Sequence, residues 1–247
     1  MTEKATPYGR LIVGEEPELF QRAIDLAAEQ KKARATGATF TWALTGGSTP
    51  QAWYNWCVQK RALPAALAES VHFTVSDERH VAIESDQNNF GNAQRLLLKP
   101  LGIDPQRCHA WNTAAEPKAT VDSYRAEWKQ LVGADWAYDV CFLGMGEDAH
   151  TASFFPGSPL LEKDGGELFD CVDAGERGLR FTITPSGLQK CGLIVVMTLG
   201  ESKATALKRV MTEAYHPRET PAQILRNCAE RTMWLVDGEA AGGLAAI

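Results

Sequence analysis

The sequence lacks the cysteine and histidine spacing that a zinc site would show. Its five histidines are not clustered, and none of its six cysteines belongs to a C-x-x-C pair. Cys141 and Cys191 lie in or beside apolar, strand-like runs, which predicts reduced and mostly buried thiols. No metal site is therefore predicted from the scattered cysteines, which are Cys57, Cys108, Cys141, Cys171, Cys191 and Cys228.

Long apolar runs and an excess of positive charge are missing as well. No stretch of roughly 18 apolar residues occurs, and the run at residues 11–13 is far too short for the apolar core of a signal peptide. The net charge is −6 and the isoelectric point is near 5.5, which leaves no basic module able to read DNA. We therefore expect a cytoplasmic protein with neither a membrane nor a nucleic acid as its partner.

Common nucleotide and nucleophile signatures are absent or weak. No Gly-Lys-Ser/Thr follows the glycine-rich turn, so there is no Walker loop, and no G-x-S-x-G elbow marks a catalytic serine. Gly144, Gly146 and Ala149 do fit the loose G-x-G-x-x-[GA] dinucleotide pattern. The two acidic residues between them would face the pyrophosphate, and nearby prolines shorten the helix that should receive it. The dinucleotide interpretation is therefore disfavoured.

The composition is that of an ordinary globular protein, with 247 residues, 45% hydrophobic and 23% charged. A chain of this length is able to bury roughly 70–75% of its unfolded surface, so residues 1–247 are interpreted as a single domain. Strand-like runs alternate with helical patterns, which predicts an α/β fold with a parallel sheet covered by helices. The predicted strands lie near residues 11–13, 39–44, 71–75, 139–143, 180–184, 193–198 and 232–236.

Helical patterns fill the segments between these strands. One spans residues 17–37 and another spans residues 117–133, each ending at a glycine. The glycine-rich and acidic stretch at residues 162–178 is expected to be the loosest part of the chain. A third helix should follow Gly200, with Lys203 free at its start and an inward face of Ala204, Leu207 and Met211.

The most informative loop, LGMGEDAHTASFFPGSP at residues 143–159, places a histidine directly after an acidic pair. Histidine as a residue type is able to exchange protons near neutral pH, so His150 could take a proton from water, while Asp148 could hold its ring or favour its charged form. An isolated histidine is more often a satisfied core or loop residue. Two further loops with complementary chemistry favour a catalytic base here.

A glycine-rich loop, LTGGSTP at residues 44–50, follows another strand-like run. Its two glycines let the backbone turn tightly and approach a ligand, and Ser48 and Thr49 add hydroxyl donors. Pro50 suits the first turn of a helix, whose free N–H groups and dipole favour an anion such as a phosphate ester. A strand-to-helix turn that uses its glycines for geometry and its hydroxyls for capping explains the same residues almost equally well.

The third loop, SDERHVAIESDQNNFGNAQRLLL at residues 76–98, clusters ionisable residues at a predicted strand end. Asp77 and Glu78 are acceptors, and Arg79 offers a planar cationic fork for an oxyanion or a phosphate. A solvated charge run is the commoner meaning of such a sequence. Asn88 and its neighbour predict the capped start of a helix.

Together these loops resemble the 6-phosphogluconolactonase family, in the superfamily that also holds glucosamine-6-phosphate deaminases and ribose-5-phosphate isomerases. The resemblance covers nearly the whole chain and rests on LTGGSTP, SDERHV with QNNFG downstream, GMGEDAHTASFFPGSP, RFTIT and LGESKATAL, in this order. It implies a Rossmann-like, mostly parallel sheet flanked by helices, with a smaller α/β subregion. It also implies hydrolysis of 6-phospho-D-glucono-1,5-lactone in the oxidative pentose phosphate pathway, without metal or cofactor. The oligomeric state, monomer or homodimer, is left open.

The resemblance also implies roles for particular residues. By motif match, His150 is the general base for the attacking water and Arg79 stabilises charge on the lactone oxygens, with Asp77 and Asp148 as orienting acids. A lactone is an activated ester, so a base and an oxyanion partner suffice without a covalent nucleophile. We expect these side chains to line one locally positive pocket beyond the carboxyl ends of the strands. The implied phosphate ligands are Gly46, Gly47, Ser48, Thr49, Arg180 and Lys203.

Two residues depart from the family pattern, and two alternative functions stay open. Asn88 stands where related sequences often carry serine before the Asn-aromatic pair, so no site role is carried over to it. Ala149 stands where the family usually has glycine, and a positive φ there would cost alanine roughly 1–2 kcal/mol. A glucosamine-6-phosphate deaminase typically reads DEY where this chain reads Asp77-Glu78-Arg79, which favours the lactonase. The alternative from another class is a non-catalytic sugar-phosphate-binding domain, which would bind the phosphosugar without turnover.

Overall fold

The computed structural model describes residues 1–35, 37–162 and 165–244. Within these ranges the strands are β1 (Thr2–Thr6), β2 (Gly9–Val13), β3 (Phe40–Leu44), β4 (Val71–Val75), β5 (Asp77–Arg79), β6 (Val140–Gly144), β7 (Phe169–Asp173), β8 (Leu179–Ile183), β9 (Leu193–Thr198) and β10 (Thr232–Val236). The helices are α1 (Glu16–Ala33), α2 (Ser48–Lys60), α3 (Ala65–Ala68), α4 (Asn89–Ala93), α5 (Pro117–Val132), α6 (Pro185–Leu188), α7 (Ala204–Thr212) and α8 (Gly238–Ala241). Short 3-10 turns and a π turn at Gln94–Leu98 complete the described elements.

Seven strands form one large sheet in the order β1-β2-β10-β9-β6-β3-β4. All neighbours in this sheet are parallel except β1, which pairs with β2 in the antiparallel sense. The central strands β3 and β9 are buried along their whole length, as near-continuous apolar runs covered on both faces should be. This sheet therefore carries the predicted parallel core.

A second sheet of three antiparallel strands has the order β5-β8-β7. Its inner face is aromatic, because Phe169 on β7 and Phe181 on β8 pack against side chains from the body of the protein. Trp111 stacks on Phe181 with ring centroids 5.5 Å apart, and Tyr124 of α5 meets Phe169 edge-on at 5.0 Å. Such pairs add roughly 0.5–1.5 kcal/mol each to the burial of their area. The small sheet is thus fixed against α5 and the larger core.

The α/β prediction, with a mostly parallel sheet flanked by helices and a smaller subregion, is confirmed by these two sheets. The predicted strands at residues 193–198 and 232–236 match β9 and β10. The strand at residues 180–184 is real but belongs to the small sheet, as β8. In the described ranges, no helix is long and apolar enough to cross a membrane. The prediction of a single domain over residues 1–247 stays a prediction.

Three strands were not predicted, and one of them is the charged β5 (Asp77–Arg79), which was interpreted as a cluster of ionisable residues at a strand end. β1 is polar and exposed at the edge of the large sheet, so it carries no apolar pattern. β7 lies inside the stretch 162–178 that was expected to be loose, and this expectation is wrong for Phe169–Asp173. The strand forms because β8 offers a partner and the aromatic cluster offers a site for Phe169. Lys163 and Asp164 of that stretch lie outside the described residues.

Two predicted helices differ in detail from the structure. Helix α1 ends at Ala33 rather than at Gly37, since Arg34 turns to extended backbone and its Nε lies 2.9 Å from the buried Asp139. The third helix buries Ala206, Leu207 and Val210 instead of the predicted face with Ala204 and Met211. A 3-10 turn at Glu201–Lys203 precedes α7, and Leu207 is the residue of the predicted face that is fully buried.

Candidate active site

A cleft of about 410 Å³ opens where the loops after β3, β6 and β9 meet the small sheet, a volume in the range of small-molecule sites. His150, Arg79 and the glycine loop all line it, so the expectation of one shared pocket is confirmed. Asp148, the remaining predicted site residue, hydrogen-bonds His150. The predicted residues that line the cleft are Gly46, Gly47, Ser48, Thr49, Asp77, Arg79, His150, Arg180 and Lys203.

The glycine loop requires both of its glycines. A Cβ on Gly46 would lie 1.9 Å from the side-chain oxygen of Asn89, and Gly47 has a φ of 109°. Gly47 is the N-cap of helix α2 and offers no side-chain acceptor, so no side chain caps the first N–H groups of the helix, where Ser48 and Thr49 line the cleft. The loop is fixed from below by Tyr54, whose hydroxyl donates to the carbonyl of Thr45 at 2.6 Å. This arrangement suits an anion.

The histidine loop leaves β6 at Gly144 and turns back on itself at once. Nδ1 of His150 lies 2.5 Å from Oδ1 of Asp148, which also accepts from the His150 amide at 3.1 Å. A carboxylate only accepts, so the bond places the ring proton on Nδ1 and leaves the Nε2 lone pair free. Gly146 makes room for the pair, because a Cβ there would lie 2.0 Å from Nδ1 of His150.

Ala149, which stands where the family usually has glycine, adopts the positive φ that is strained for alanine. Ala149 has a φ of 64° and is fully buried. Its amide donates to the carbonyl of Gly146 and its carbonyl accepts from Ala222, so both backbone groups are held. The loop therefore keeps its left-handed turn with alanine, at the usual steric cost of that conformation.

Asp148 is held in its ionised form by its neighbours. Partial burial by itself raises the pKa of this carboxyl, but the hydrogen bond and charge of His150, together with Arg177, outweigh that effect and hold the pKa well below its usual range. Nη1 of Arg177 lies 2.8 Å from Oδ2. Asp148 is therefore an anion throughout the neutral range and a fixed acceptor for the imidazole.

The charged run at residues 77–79 is a strand, β5, and not a solvated loop. Successive side chains of a strand point to opposite faces, so Asp77 and Arg79 reach the cleft while Glu78 points inward. Asp77 accepts a hydrogen bond from Ser153 at 2.8 Å. Burial raises the pKa of Asp77, against the opposing effects of Ser153, Arg180 and His150. Arg79 donates from Nη1 to the carbonyl of Gln87 at 2.8 Å.

Glu78 is fully buried beneath the site and joins two of its walls. Its carboxylate accepts from three backbone amides, those of Arg79 at 2.8 Å, Asn89 at 2.7 Å and Phe90 at 2.8 Å. Desolvation raises the pKa of Glu78 to about 7, although the three N–H donors favour the charged form. The carboxyl thus ties β5 to the start of α4, where the side chain of Asn88 caps the helix by accepting from Gly91.

The cleft is rich in positive charge although the whole chain is acidic. Arg79 and Arg180 are opposite each other in the β5–β8 register, so both guanidinium groups are on one face of the small sheet. Lys203 enters from the turn after β9 and lies 4.0 Å from Glu147 at the rim. The prediction of a locally positive pocket is confirmed by this placement.

Comparison with known proteins assigns the chain to a family. The family model described as "Glucosamine-6-phosphate isomerases/6-phosphogluconolactonase" matches residues 15–234. The chain belongs to this family. Among curated relatives, the 6-phosphogluconolactonase of Synechocystis sp. is 30% identical over 218 residues, covering 86% of this chain and 88% of that protein.

Solved structures of the family have the same fold. The 6-phosphogluconolactonase from Trypanosoma cruzi superposes with a TM-score of 0.82 at 22% identity, covering 100% of this chain and 99% of that chain. A monomeric glucosamine-6-phosphate deaminase superposes with a TM-score of 0.76 at 20% identity, covering 94% of this chain and 99% of that chain. The fold of this family therefore does not separate the two activities, and the side chains of the cleft must do so.

Sequence reasoning missed several residues that line the cleft, among them Asn89, Phe155 and Arg177. Asn89 lay in the recognised QNNFG block, but only its backbone role at a helix start was predicted. The ring of Phe155 packs against His150 at a tilt, with ring centroids 4.7 Å apart, and a phenylalanine in a loop gave no signal of such a contact. Arg177 comes from the 3-10 turn before β8, in the stretch expected to be loose. Only the fold brings it to Asp148.

Metal-ligating side chains are spread over the fold. Across residues 1–35, 37–162 and 165–244, no group of three or more His, Cys, Asp or Glu side chains is placed to hold a metal ion. His72 and His109, the nearest approach to a histidine cluster, stack on each other away from the cleft, with Nδ1 of His72 2.8 Å from Nε2 of His109.

Proposed function

We propose that this chain hydrolyses 6-phospho-D-glucono-1,5-lactone to 6-phosphogluconate, a step of the oxidative pentose phosphate pathway. The observation that carries the proposal is the His150–Asp148 pair, which shares one cation-lined cleft with a glycine loop at a helix start. The names of the curated relatives support the same reaction. The cytoplasmic location and the choice between monomer and homodimer stay predictions.

His150 acts as the general base in this proposal. With its Nδ1 proton directed to Asp148, its free Nε2 takes a proton from the water that attacks the lactone carbonyl. Asp148 fixes the tautomer and stabilises the imidazolium that forms. The proton then passes to the ring oxygen as the C–O bond breaks, which returns the imidazole to its neutral form. The second proton of the water stays on the new carboxylic acid, which ionises to solvent to give 6-phosphogluconate.

Arg79 stabilises the charge that develops on the lactone oxygens. Its guanidinium is held at Gln87, so the fork is oriented before substrate arrives. Asp77, fixed by Ser153, is the carboxylate that neutralises part of the arginine charge in the empty cleft. A general base typically supplies about 10²–10⁴-fold and a placed oxyanion donor about 10²–10³-fold, which is enough for an ester that already hydrolyses in water.

The phosphate of the substrate is assigned to the glycine loop and the cations beside it. Gly46, Gly47, Ser48 and Thr49 offer backbone and hydroxyl donors, and Lys203 and Arg180 supply positive charge. Binding a group remote from the lactone carbonyl holds the reacting carbon near His150, which is how binding energy is converted into rate.

A glucosamine-6-phosphate deaminase is the second candidate, because the likeness in fold extends to such an enzyme. Arg79 argues against it, since a guanidinium stands in the cleft where deaminases typically have a tyrosine. The two candidates differ in product, so they are separated by a direct assay.

The test is hydrolysis of freshly generated 6-phosphoglucono-δ-lactone, corrected for spontaneous hydrolysis, with and without a chelator. We expect rapid turnover that resists the chelator and falls about 10²–10⁴-fold in His150→Ala, the range of a lost general base. His216→Ala is the matched control, because His216 is exposed and does not line the cleft. Absence of turnover with ammonia release from glucosamine 6-phosphate would establish the deaminase instead. Binding of the phosphosugar without either product would indicate the non-catalytic domain.

A further inference from the structure

Asp148 has a cationic partner, Arg177, in addition to His150. Its Oδ1 accepts from Nδ1 of His150 at 2.5 Å, while its Oδ2 lies 2.8 Å from Nη1 of Arg177. Arg177 ends the 3-10 turn Gly175–Arg177, which joins β7 to β8 in the small sheet. The carboxylate that orients the base is therefore shared between the two sheets.

A phenylalanine fixes the geometry of this arginine. The guanidinium carbon of Arg177 lies 4.5 Å from the ring centroid of Phe155, on which it makes a cation–π contact. The same ring lies 4.7 Å from the imidazole of His150. Phe155 thus contacts both partners of Asp148.

We propose that Arg177 is a positioning residue that holds Asp148 and offsets its charge, so that His150 remains an unprotonated base at lower pH than it would beside Asp148 alone. A carboxylate next to an imidazole favours the charged imidazolium. A guanidinium on the other oxygen weakens that attraction and also repels the imidazolium charge, and both effects favour the neutral ring. The proposal rests on the proposed function, because it takes His150 as the base.

Other charged groups share the cleft and must be counted in any titration of His150. Asp77 and Arg79 approach from β5, Arg180 from β8, and Lys203 with Glu147 from the rim. These groups surround the imidazole in the wild type and in every Arg177 variant. Substitution of Arg177 therefore changes one cation, the one that contacts the carboxylate partner of His150 directly.

A direct contact of Arg177 with substrate is the alternative within the same cleft. The Arg177 side chain is 47% exposed and lines the pocket, so it is able to reach a bound anion. A substrate ligand would change KM and leave the acid limb of the pH–rate profile in place. A residue that acts through Asp148 would move that limb, because the limb reports the protonation of the base.

The experiment compares Arg177→Gln, which removes the charge, with Arg177→Lys, which keeps it. Arg22→Gln is the matched control, because it removes an arginine that pairs with Glu29 on α1. For each protein, kcat/KM for the lactone is followed from pH 5 to 8. The Hε1 resonance of His150, assigned with His150→Gln, is titrated by NMR without substrate.

We expect Arg177→Gln to move the acid limb and the NMR midpoint up by about 0.5–1 pH unit, less than a fully buried charge contact because both side chains are partly exposed. Arg177→Lys and Arg22→Gln should stay near the wild type. An unmoved NMR midpoint in Arg177→Gln overturns the proposal whether or not the wild type turns the lactone over. A raised KM with an unmoved limb also overturns it and makes Arg177 a substrate ligand. A shifted midpoint in a protein without lactonase activity would support the coupling and contradict the proposed function.

Discussion

The two sheets meet at one cleft but contribute to it in different ways. The large parallel sheet contributes loops beyond its strands, with the glycine loop after β3, His150 after β6 and Lys203 after β9. The small antiparallel sheet contributes side chains on its strands, with Arg79 and Arg180 opposite each other. The loops of the large sheet depend on the backbone shape of tight turns. The side chains of the small sheet depend on the register of β5 against β8 and on the buried Glu78.

Gly146→Ala is the largest expected effect and tests the dependence on backbone shape. The new Cβ would overlap His150 and Asp148 without removing either, so we expect kcat/KM to fall about 10³-fold, or roughly 4 kcal/mol, within the range of a displaced general base. Gly238→Ala is the control, since a Cβ there has no neighbour within 4 Å. Lactone hydrolysis at pH 7 measures both, with circular dichroism to show that the variants fold. Near-normal activity in Gly146→Ala would show that the loop adapts easily.

Glu78→Gln tests the buried carboxyl of Glu78 through the pH dependence of the free energy of unfolding. The folded protein holds the Glu78 proton up to about pH 7, above the ordinary range of a glutamate, so its contribution to stability falls as pH rises from about 4.5 to 7. We expect the wild type to lose up to roughly 3 kcal/mol in this window relative to Glu78→Gln. Urea unfolding at pH 5, 6, 7 and 8 measures the difference. The exposed Glu230 supplies the control Glu230→Gln, and parallel pH curves for all three proteins would contradict the prediction.

Arg79→Lys tests whether the small sheet supplies the planar hydrogen-bonding fork of a guanidinium or only a positive charge. Lysine keeps the charge and loses the planar fork and the bond to Gln87. We expect kcat to fall about 10²-fold, or roughly 2.7 kcal/mol, with a smaller change in KM. Arg10→Lys, in an exposed ion pair on β2, should leave both constants unchanged. A higher KM with an unaltered kcat would instead group Arg79 with the phosphate ligands.

Ala149→Gly should give the smallest effect, and it tests how much the positive φ of Ala149 costs in stability. Glycine adopts a φ of 64° without steric cost but loses more entropy on folding, so we expect stability to rise by about 0.5–1 kcal/mol with little change in activity. Ala206→Gly, inside helix α7, should lose at least about 1 kcal/mol. Chemical denaturation of both variants gives the comparison, and a loss in Ala149→Gly would show that the buried methyl outweighs the strain.

The contribution of the large sheet was predictable because its signals are local. Apolar runs mark β3 and β6, glycines occur at or just after the end of each run, and His150 lies in the loop after β6, so position along the chain fixes position at the sheet edge. Ser48 and Thr49 begin the helix that Pro50 indicated. Each of these predictions uses only residues that are neighbours in the sequence.

The contribution of the small sheet was harder to predict because its signals are long-range. Residues 77–79 match a charged run, and only pairing with β8 shows that they alternate between cleft and core. The contact of Arg177 with Asp148 joins residues 29 positions apart on different sheets, and nothing in either segment indicates it. The buried state of Glu78 is likewise decided by three amides from two separate segments.

The short strand β5 also limits how this part of the chain is able to change length. A slip of one residue against β8 would turn Glu78 into the cleft and move Asp77 and Arg79 to the inner face. A single insertion or deletion between β4 and β5 would thus exchange a guanidinium for a carboxylate at the centre of an anion site, and bury two charges in its place. A substitution in this segment changes one side chain, whereas a change of length moves every side chain of the strand to the opposite face of the sheet.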